Sequence, residues 1–304
     1  MSYRSTSHPE PASGRPASGG PASGGPANGS RRFFAEPLAV KVPEITFMFW
    51  VIKILTTAGG EATSDYLSLG NRMVGGVVEA GIFCIALIWQ FRTRKYTAAA
   101  YWLLAYAIAI FGTGIADAMH LFVGIPYAGT TALWAIVLAA IFWLWYRSEG
   151  TLSIHSILTT RREIYYWATV FATFALGTAL GDFTATALHL GYLASGIMFF
   201  VVILIPALLW SGFKVNSVFC FWFAYVITRP LGASFADYFS KGHDLSGANF
   251  GDGPTATIAT VVVAILVAYL IVSGHGVQKP AEAVPAPGGG PEAGRPQDHR
   301  RAMF

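Results

Sequence analysis

The residues with the most chemistry to offer in this 304-residue chain are four aspartates that recur in one frame. Asp65, Asp117, Asp182 and Asp237 each stand fifteen residues after a tryptophan, namely Trp50, Trp102, Trp167 and Trp222. A glycine lies ten residues after each tryptophan (Gly60, Gly112, Gly177, Gly232), and an aromatic residue precedes it (Phe49, Tyr101, Tyr166, Phe221). Four matches at several positions define a tandem repeat, and a repeat decides the fold before any other feature does. On a helix, fifteen residues carry the aspartate ~22 Å from its tryptophan and return it to within ~60° of the same face. Parallel copies should therefore gather the aspartates into a rough ring at one level.

Stepping back by four from each aspartate gives the residues on the same helical stripe. These are Glu61, Thr57 and Lys53 in the first copy, Thr113 and Thr178 in the second and third, and Ala233 and Arg229 in the last. Ionisable groups at such depth cost ~2.5–3.5 kcal/mol each at a helix centre, so they should face inward and pair. Lys53 and Arg229 are the expected charge partners of Glu61, Asp65, Asp117, Asp182 and Asp237. Carboxylates left over would hold protons or a bound cation. Oxygen ligands without cysteine suit hard ions such as Mg²⁺ or Mn²⁺ better than copper, which puts a divalent cation among the candidates and points to no organic cofactor. His120 and His189 add titratable groups at this level, as metal or proton sites or as loop-bonded histidines. Asp65 and Asp237 also lie near enough to turns to cap a following helix instead.

The elements that must position these groups follow from composition. The chain is 54% hydrophobic and 12% charged, against about 25% charged in a soluble domain. Eight apolar segments, near 44–67, 72–91, 98–122, 129–146, 164–187, 190–210, 217–240 and 254–273, each approach the ~20 residues that cross a bilayer as a helix. The fold class expected is all-α: eight transmembrane helices in four parallel tandem helical-hairpin repeats, about 44–91, 98–146, 164–210 and 217–273. Residues 1–40 and 275–304, rich in Pro, Ala, Ser and Gly, read as disordered tails around a 41–274 membrane domain. The first tail lacks the apolar stretch of a signal peptide. Cys84 and Cys220 sit in apolar runs and read as small hydrophobes.

Basic residues set the expected orientation. Arg92, Arg94, Lys95, Arg147, Arg161, Arg162 and Lys214 follow helices two, four and six, whereas the opposite loops carry Arg72 and Lys241. The first side, with both termini, is expected in the cytoplasm of an inner membrane. The partners are then the lipid bilayer and a small cation or proton, not nucleic acid, which would call for a basic face interleaved with aromatics. The repeat glycines read as helix-packing positions and the repeat tryptophans as residues of the interfacial belt. Pro230, next to Arg229, is expected to break helix seven beside a cavity.

The repeat also resembles a known family. The run Lys41 to Thr46 (KVPEIT), Gly59-Gly60-Glu61, Ser64 to Ser68 (SDYLS), Thr151 to Ile157 (TLSIHSI), Phe174 to Asp182 (FALGTALGD) and Thr228 to Asp237 (TRPLGASFAD) are similar to the bacterial "membrane-anchored protein" repeats of unknown function. The resemblance covers residues 41–273 and implies the four-hairpin architecture without an activity. The residues themselves favour a secondary transporter of a small cation, with the carboxylates as binding site and their protonation as coupling. A non-transporting scaffold or sensor, in which the carboxylates tie hairpins together, is the alternative. No nucleophile–base pair, zinc spacing or phosphate loop points to an enzyme.

Overall fold

The computed structural model describes residues 39–278; residues 1–38 and 279–304, and with them most of both tails, lie outside the described residues. Every long element is helical: α1 (Phe47–Ser68), α2 (Arg72–Arg92), α3 (Ala98–Leu121), α4 (Tyr127–Glu149), α5 (Thr160–Asp182), α6 (Tyr192–Phe213), α7 (Ser217–Ser240) and α8 (Asp252–Ser273). Local signals set the ends. Thr46, Asn71, Thr159 and Asn216 accept hydrogen bonds from first-turn amides of α1, α2, α5 and α7, which satisfies donors a helix cannot satisfy itself. Gly150 and Gly274 end α4 and α8 in the left-handed conformation.

Seven of these helices are long and apolar enough to cross a membrane. The exception is α1, which carries Lys53, Glu61 and Asp65. It is not exposed to the surroundings that would penalise them, because α1, α3, α5 and α7 form a closed inner ring, each packed on the next and α7 on α1. The even-numbered helices lie outside. Their outward faces carry large apolar side chains such as Val77, Ile85, Ile136, Phe200, Val201 and Ile265, the pattern of a lipid-facing surface. Trp89 and Trp143 are exposed near the ends of α2 and α4.

The sequence repeat is a hairpin, but the packing unit is not. The helix α2 leans mainly on α3, α4 on α5, α6 on α7, and α8 on α1. Each outer helix thus covers the inner helix of the next unit, and the last covers the first. The inner contacts step round in the same sense. A Cβ on Gly60 would collide with Ala109, one on Gly112 would crowd Phe174, one on Gly177 would strike Arg229 and Pro230, and one on Gly232 would strike Thr57. The aromatic pairs repeat it: Phe49 meets Trp102 (5.6 Å between ring centroids), Tyr101 meets Trp167 (5.2 Å), Tyr166 meets Trp222 (6.1 Å) and Phe221 meets Trp50 (5.8 Å).

Three expectations change. The tryptophans are not an interfacial belt: Trp102, Trp167 and Trp222 are buried and Trp50 is half-buried, because their rings fill the gaps between inner helices. Helix α7 runs unbroken through Pro230; the irregular backbone lies instead after α5, where a π-helical turn spans Phe183–Ala187 directly beyond Asp182. The start of the second tail is ordered. Glu44 N donates to Gly276 O (2.9 Å) and Gln278 Nε2 to Pro43 O (3.2 Å), fastening the end of α8 to the start of α1.

Close approach at the glycines gives a direct test. Gly60→Leu should destabilise the protein by about 1–3 kcal/mol, the usual cost of overpacking. Gly81→Leu, where a Cβ meets nothing within 4 Å, should be neutral. Equal melting temperatures for the two variants in detergent would show that the ring is not close-packed at Gly60.

Candidate functional site

The interior of the inner ring carries the polar residues in layers. At the tryptophan end Lys41 pairs with Glu163 (2.6 Å), which also accepts from Gln90 Nε2 (3.0 Å). All three are buried. Nearby, Tyr101 and Tyr166 share a 2.5 Å hydrogen bond. Lys53 comes next, fully buried, with Nζ 4.0 Å from the ring centre of Phe174 and 4.2 Å from that of Tyr225. It reaches no carboxylate and has no hydrogen-bond partner among the described residues. Its expected pairing with the acidic group fails because Glu61 lies eight residues, ~12 Å, further along the same helix. Two aromatic faces supply the stabilisation instead.

The middle layer is a knot around Arg229. Its Nη2 donates to Glu61 Oε2, to Thr113 Oγ1 and to Thr178 Oγ1 (2.6 Å), and its Nη1 donates to Thr57 O (3.2 Å). Thr113 Oγ1 donates to the same Glu61 oxygen at 2.9 Å. All four inner helices meet here. Ala233 leaves space on α7 at the level where the other three copies carry Glu61, Thr113 and Thr178, and the missing side chain of Gly177 leaves room for the arginine stem. A planar fork of five donors suits such multiple contacts better than a lysine.

The third layer is acidic. Oxygens of Glu61, Asp65 and Asp237 lie within 4.8 Å of one another. Lys241, just past α7, sits among them: 2.6 Å from Asp65, 3.2 Å from Asp252 and 4.0 Å from Asp237. Burial works against the Lys241 ammonium, but the adjoining carboxylates outweigh it and hold its pKa above the ordinary lysine range. Asp117 and Asp182 lie within electrostatic reach of this group, yet neither side chain makes a hydrogen bond or ion pair among the described residues. Asp182 closes α5 at the π-helical turn, a feature that recurs at functional sites. The oxygens of Glu61, Asp65 and Asp237 form a set suited to a hard cation. Arg229 and Lys241 already supply positive charge to it.

An open cavity of about 630 Å³ faces the same end, with Asp65, Glu79, Asp117, Lys241 and Asp252 on its wall. Neither histidine joins it. His120 Nδ1 lies 2.9 Å from Ile125 O and its ring stacks on Tyr127, while His189 is exposed with a left-handed backbone (φ 55°). His120 thus takes the loop-bonded arrangement.

Some residues of the site escape a frame-based reading of the sequence. Lys241 looks like a loop cation, and Asp252 lies outside the repeated stripe. Glu79 left a clear signal, an acidic residue alone within the apolar stretch of α2, and intramembrane ionisable residues mark function by default.

Residues 48–96, 100–151, 165–216 and 220–275 each fit the family model described as a repeat of unknown function, DUF347. No curated protein and no solved structure matches the chain.

The knot is open to a double-mutant cycle. Arg229→Leu should destabilise the protein by about 3–5 kcal/mol, because it strands a buried carboxylate. Adding Glu61→Leu to that variant should recover part of the loss. Losses that simply add, read from unfolding in detergent, would show that the two side chains do not act as a pair.

Proposed function

The chain belongs to this family of repeats of unknown function, and from that premise we propose that it is a multi-pass membrane protein that carries a small cation through its inner ring. The observation that carries the reading is an imbalance of charge at one end of that ring. Asp65, Glu79, Asp117, Asp182, Asp237 and Asp252 gather there, with Lys241 and the exposed Arg72 as the basic residues among those around the cavity. Glu61 is already matched by Arg229. Carboxylates in excess of their fixed partners, at membrane depth, need either protons or a mobile cation. Exchange of one for the other is the elementary step of proton-coupled cation transport. Coupled carboxylates of this kind titrate as a set rather than singly. A divalent ion on the oxygens of Glu61, Asp65 and Asp237 would have to displace Lys241.

The orientation proposed puts the tryptophan end in the cytoplasm, since the loops at that end hold Arg92, Arg94, Lys95, Arg147, Arg161, Arg162 and Lys214. The membrane proposed is the inner membrane, with the acidic cavity opening on the far side. The closed aromatic layer and the Lys41–Glu163 pair then form the inner barrier of an outward-facing state. The scaffold reading applies to Glu61 and Arg229, whose charges satisfy each other and join four helices. It does not account for Asp117 and Asp182, which have no such partners among the described residues.

Those two residues supply the test. In proteoliposomes, Asp117→Asn and Asp182→Asn should each lower cation-driven proton flux by about tenfold or more, as expected for loss of a charge-assisted contact worth ~1.5–3 kcal/mol. Their melting temperatures should stay near that of the unaltered protein. Full flux in both variants would sink the transport reading.

A further inference from the structure

The cavity at the acidic end is built for something larger than a bare ion. A metal cation needs a few oxygens at about 2.0–2.6 Å, whereas about 630 Å³ falls in the range of small-molecule sites. Its wall is divided. Asp65, Glu79, Asp117 and Asp252 supply the acidic part, against Lys241 and Arg72 as the basic residues, and Phe111, Ile115, Leu121 and Phe122 supply an apolar part beside it. Acidic and apolar surfaces together fit a cation that has a hydrocarbon body.

Two observations identify the charged head. The first is Lys241, whose side chain is itself a primary ammonium on a hydrocarbon stem. It rests against this cavity with Asp65 at 2.6 Å and Asp252 at 3.2 Å, so the carboxylates present already hold that chemical group. The second is Glu79. Its side chain is buried, with a relative exposure of 1%. Oε1 accepts from Ser64 Oγ at 2.7 Å, but Oε2 has no hydrogen-bond partner among the described residues. That oxygen lies over Gly114, where any Cβ would strike it, and both residues line the cavity. A buried carboxylate oxygen without a donor costs about 1–3 kcal/mol or more. A ligand N–H would remove that cost. Asp117 lies one turn beyond Gly114 on α3, also on the cavity wall and also without a hydrogen bond or ion pair among the described residues. An ammonium offers three donors, enough to serve both.

We propose that this cavity binds an organic primary ammonium ion, with its head on Glu79 and Asp117 and its body against Phe111, Ile115, Leu121 and Phe122, beside the place that Lys241 fills with its own ammonium. The inference rests on the cation-transport reading and names the class of its cargo. Glu79 becomes a cargo-binding carboxylate contributed by an outer helix, so the site is not confined to the repeated stripe of the inner ring. Gly114 keeps the space that the carboxylate occupies.

The probes are n-butylammonium, benzylammonium, tetramethylammonium, Mg²⁺ and Mn²⁺, added to the purified full chain in detergent and followed by calorimetry and thermal melting. The two primary ammonium ions should bind and raise the melting temperature. Tetramethylammonium, which has the charge but no N–H, should not. Glu79→Gln should weaken butylammonium binding by about tenfold, the effect of losing one charged hydrogen bond. If that variant does not fold, Asp117→Asn should show the same weakening. Stabilisation by Mg²⁺ or Mn²⁺ but by neither ammonium ion overturns the cargo inference and leaves cation transport standing. Unchanged ammonium affinity in folded Glu79→Gln and Asp117→Asn overturns it as well. Absence of binding by every probe, together with absence of cation-driven flux, removes both readings.

Discussion

The ion pair between Arg229 and Glu61 is the contact on which the rest of the molecule depends. A guanidinium and a carboxylate inside an apolar bundle need each other and further hydrogen bonds to offset their desolvation. Here the Nη groups of Arg229 also reach Thr57 O on α1, Thr113 on α3 and Thr178 on α5, while Nε has no hydrogen-bond partner among the described residues, and one arginine on α7 fixes the relative height of all four inner helices. Gly177 belongs to the same constraint, because its missing Cβ is where the arginine stem passes. The pair also breaks the four-fold pattern at an informative place. It joins the first and last units through two residues 168 positions apart in the chain.

That junction is fastened at three heights. Gln278 and Gly276 bond to Pro43 and Glu44 at the tryptophan end. Arg229 and Glu61 hold the middle, and Lys241 with Asp65 holds the acidic end. Elsewhere round the ring, neighbouring inner helices belong to consecutive units. Between α7 and α1 no such connection exists, and polar contacts of long sequence separation take its place. The outer helices enforce the same closure, since each covers the inner helix of the following unit and α8 covers α1. A single unit therefore buries little of its own apolar surface, as in other repeat architectures, where stability comes from the interfaces between copies.

The two ends of the ring differ in kind. At one, tryptophans, tyrosines and the Lys41–Glu163 pair fill the interior, and Lys53 faces aromatic rings rather than water. At the other, carboxylates border an open cavity and are only partly matched by basic side chains. Under the transport proposal, an interior packed at one end and open at the other is the asymmetry expected of one state of an alternating-access carrier. The π-helical turn directly follows Asp182, whose carboxylate lies within electrostatic reach of the acidic layer.

The all-helical architecture, the eight segments and the four-copy frame were legible in the sequence, because apolar length and residue periodicity are local properties of the chain. The proximity of Asp65 and Asp237 has the same origin, since equal offsets from the repeat tryptophan put residues at similar heights on neighbouring helices. What spacing could not decide was which side chains touch. Lys53 shares a stripe with Glu61 but is too far along the helix to reach it, whereas Arg229, from the opposite end of the chain, is adjacent. Lys241 reads as a loop cation until the fold turns it inward onto Asp65, Asp237 and Asp252. Trp102, Trp167 and Trp222 carry an interfacial signature and are nevertheless core residues, because whether a ring faces lipid or a neighbouring helix depends on rotation about the helix axis. The sequence by itself determined the elements and the repeat frame they carry. Only the tertiary structure decided the order of packing round the ring, the partners of each charge and the place of the cavity, since these depend on contacts between helices that the chain brings together from distant positions.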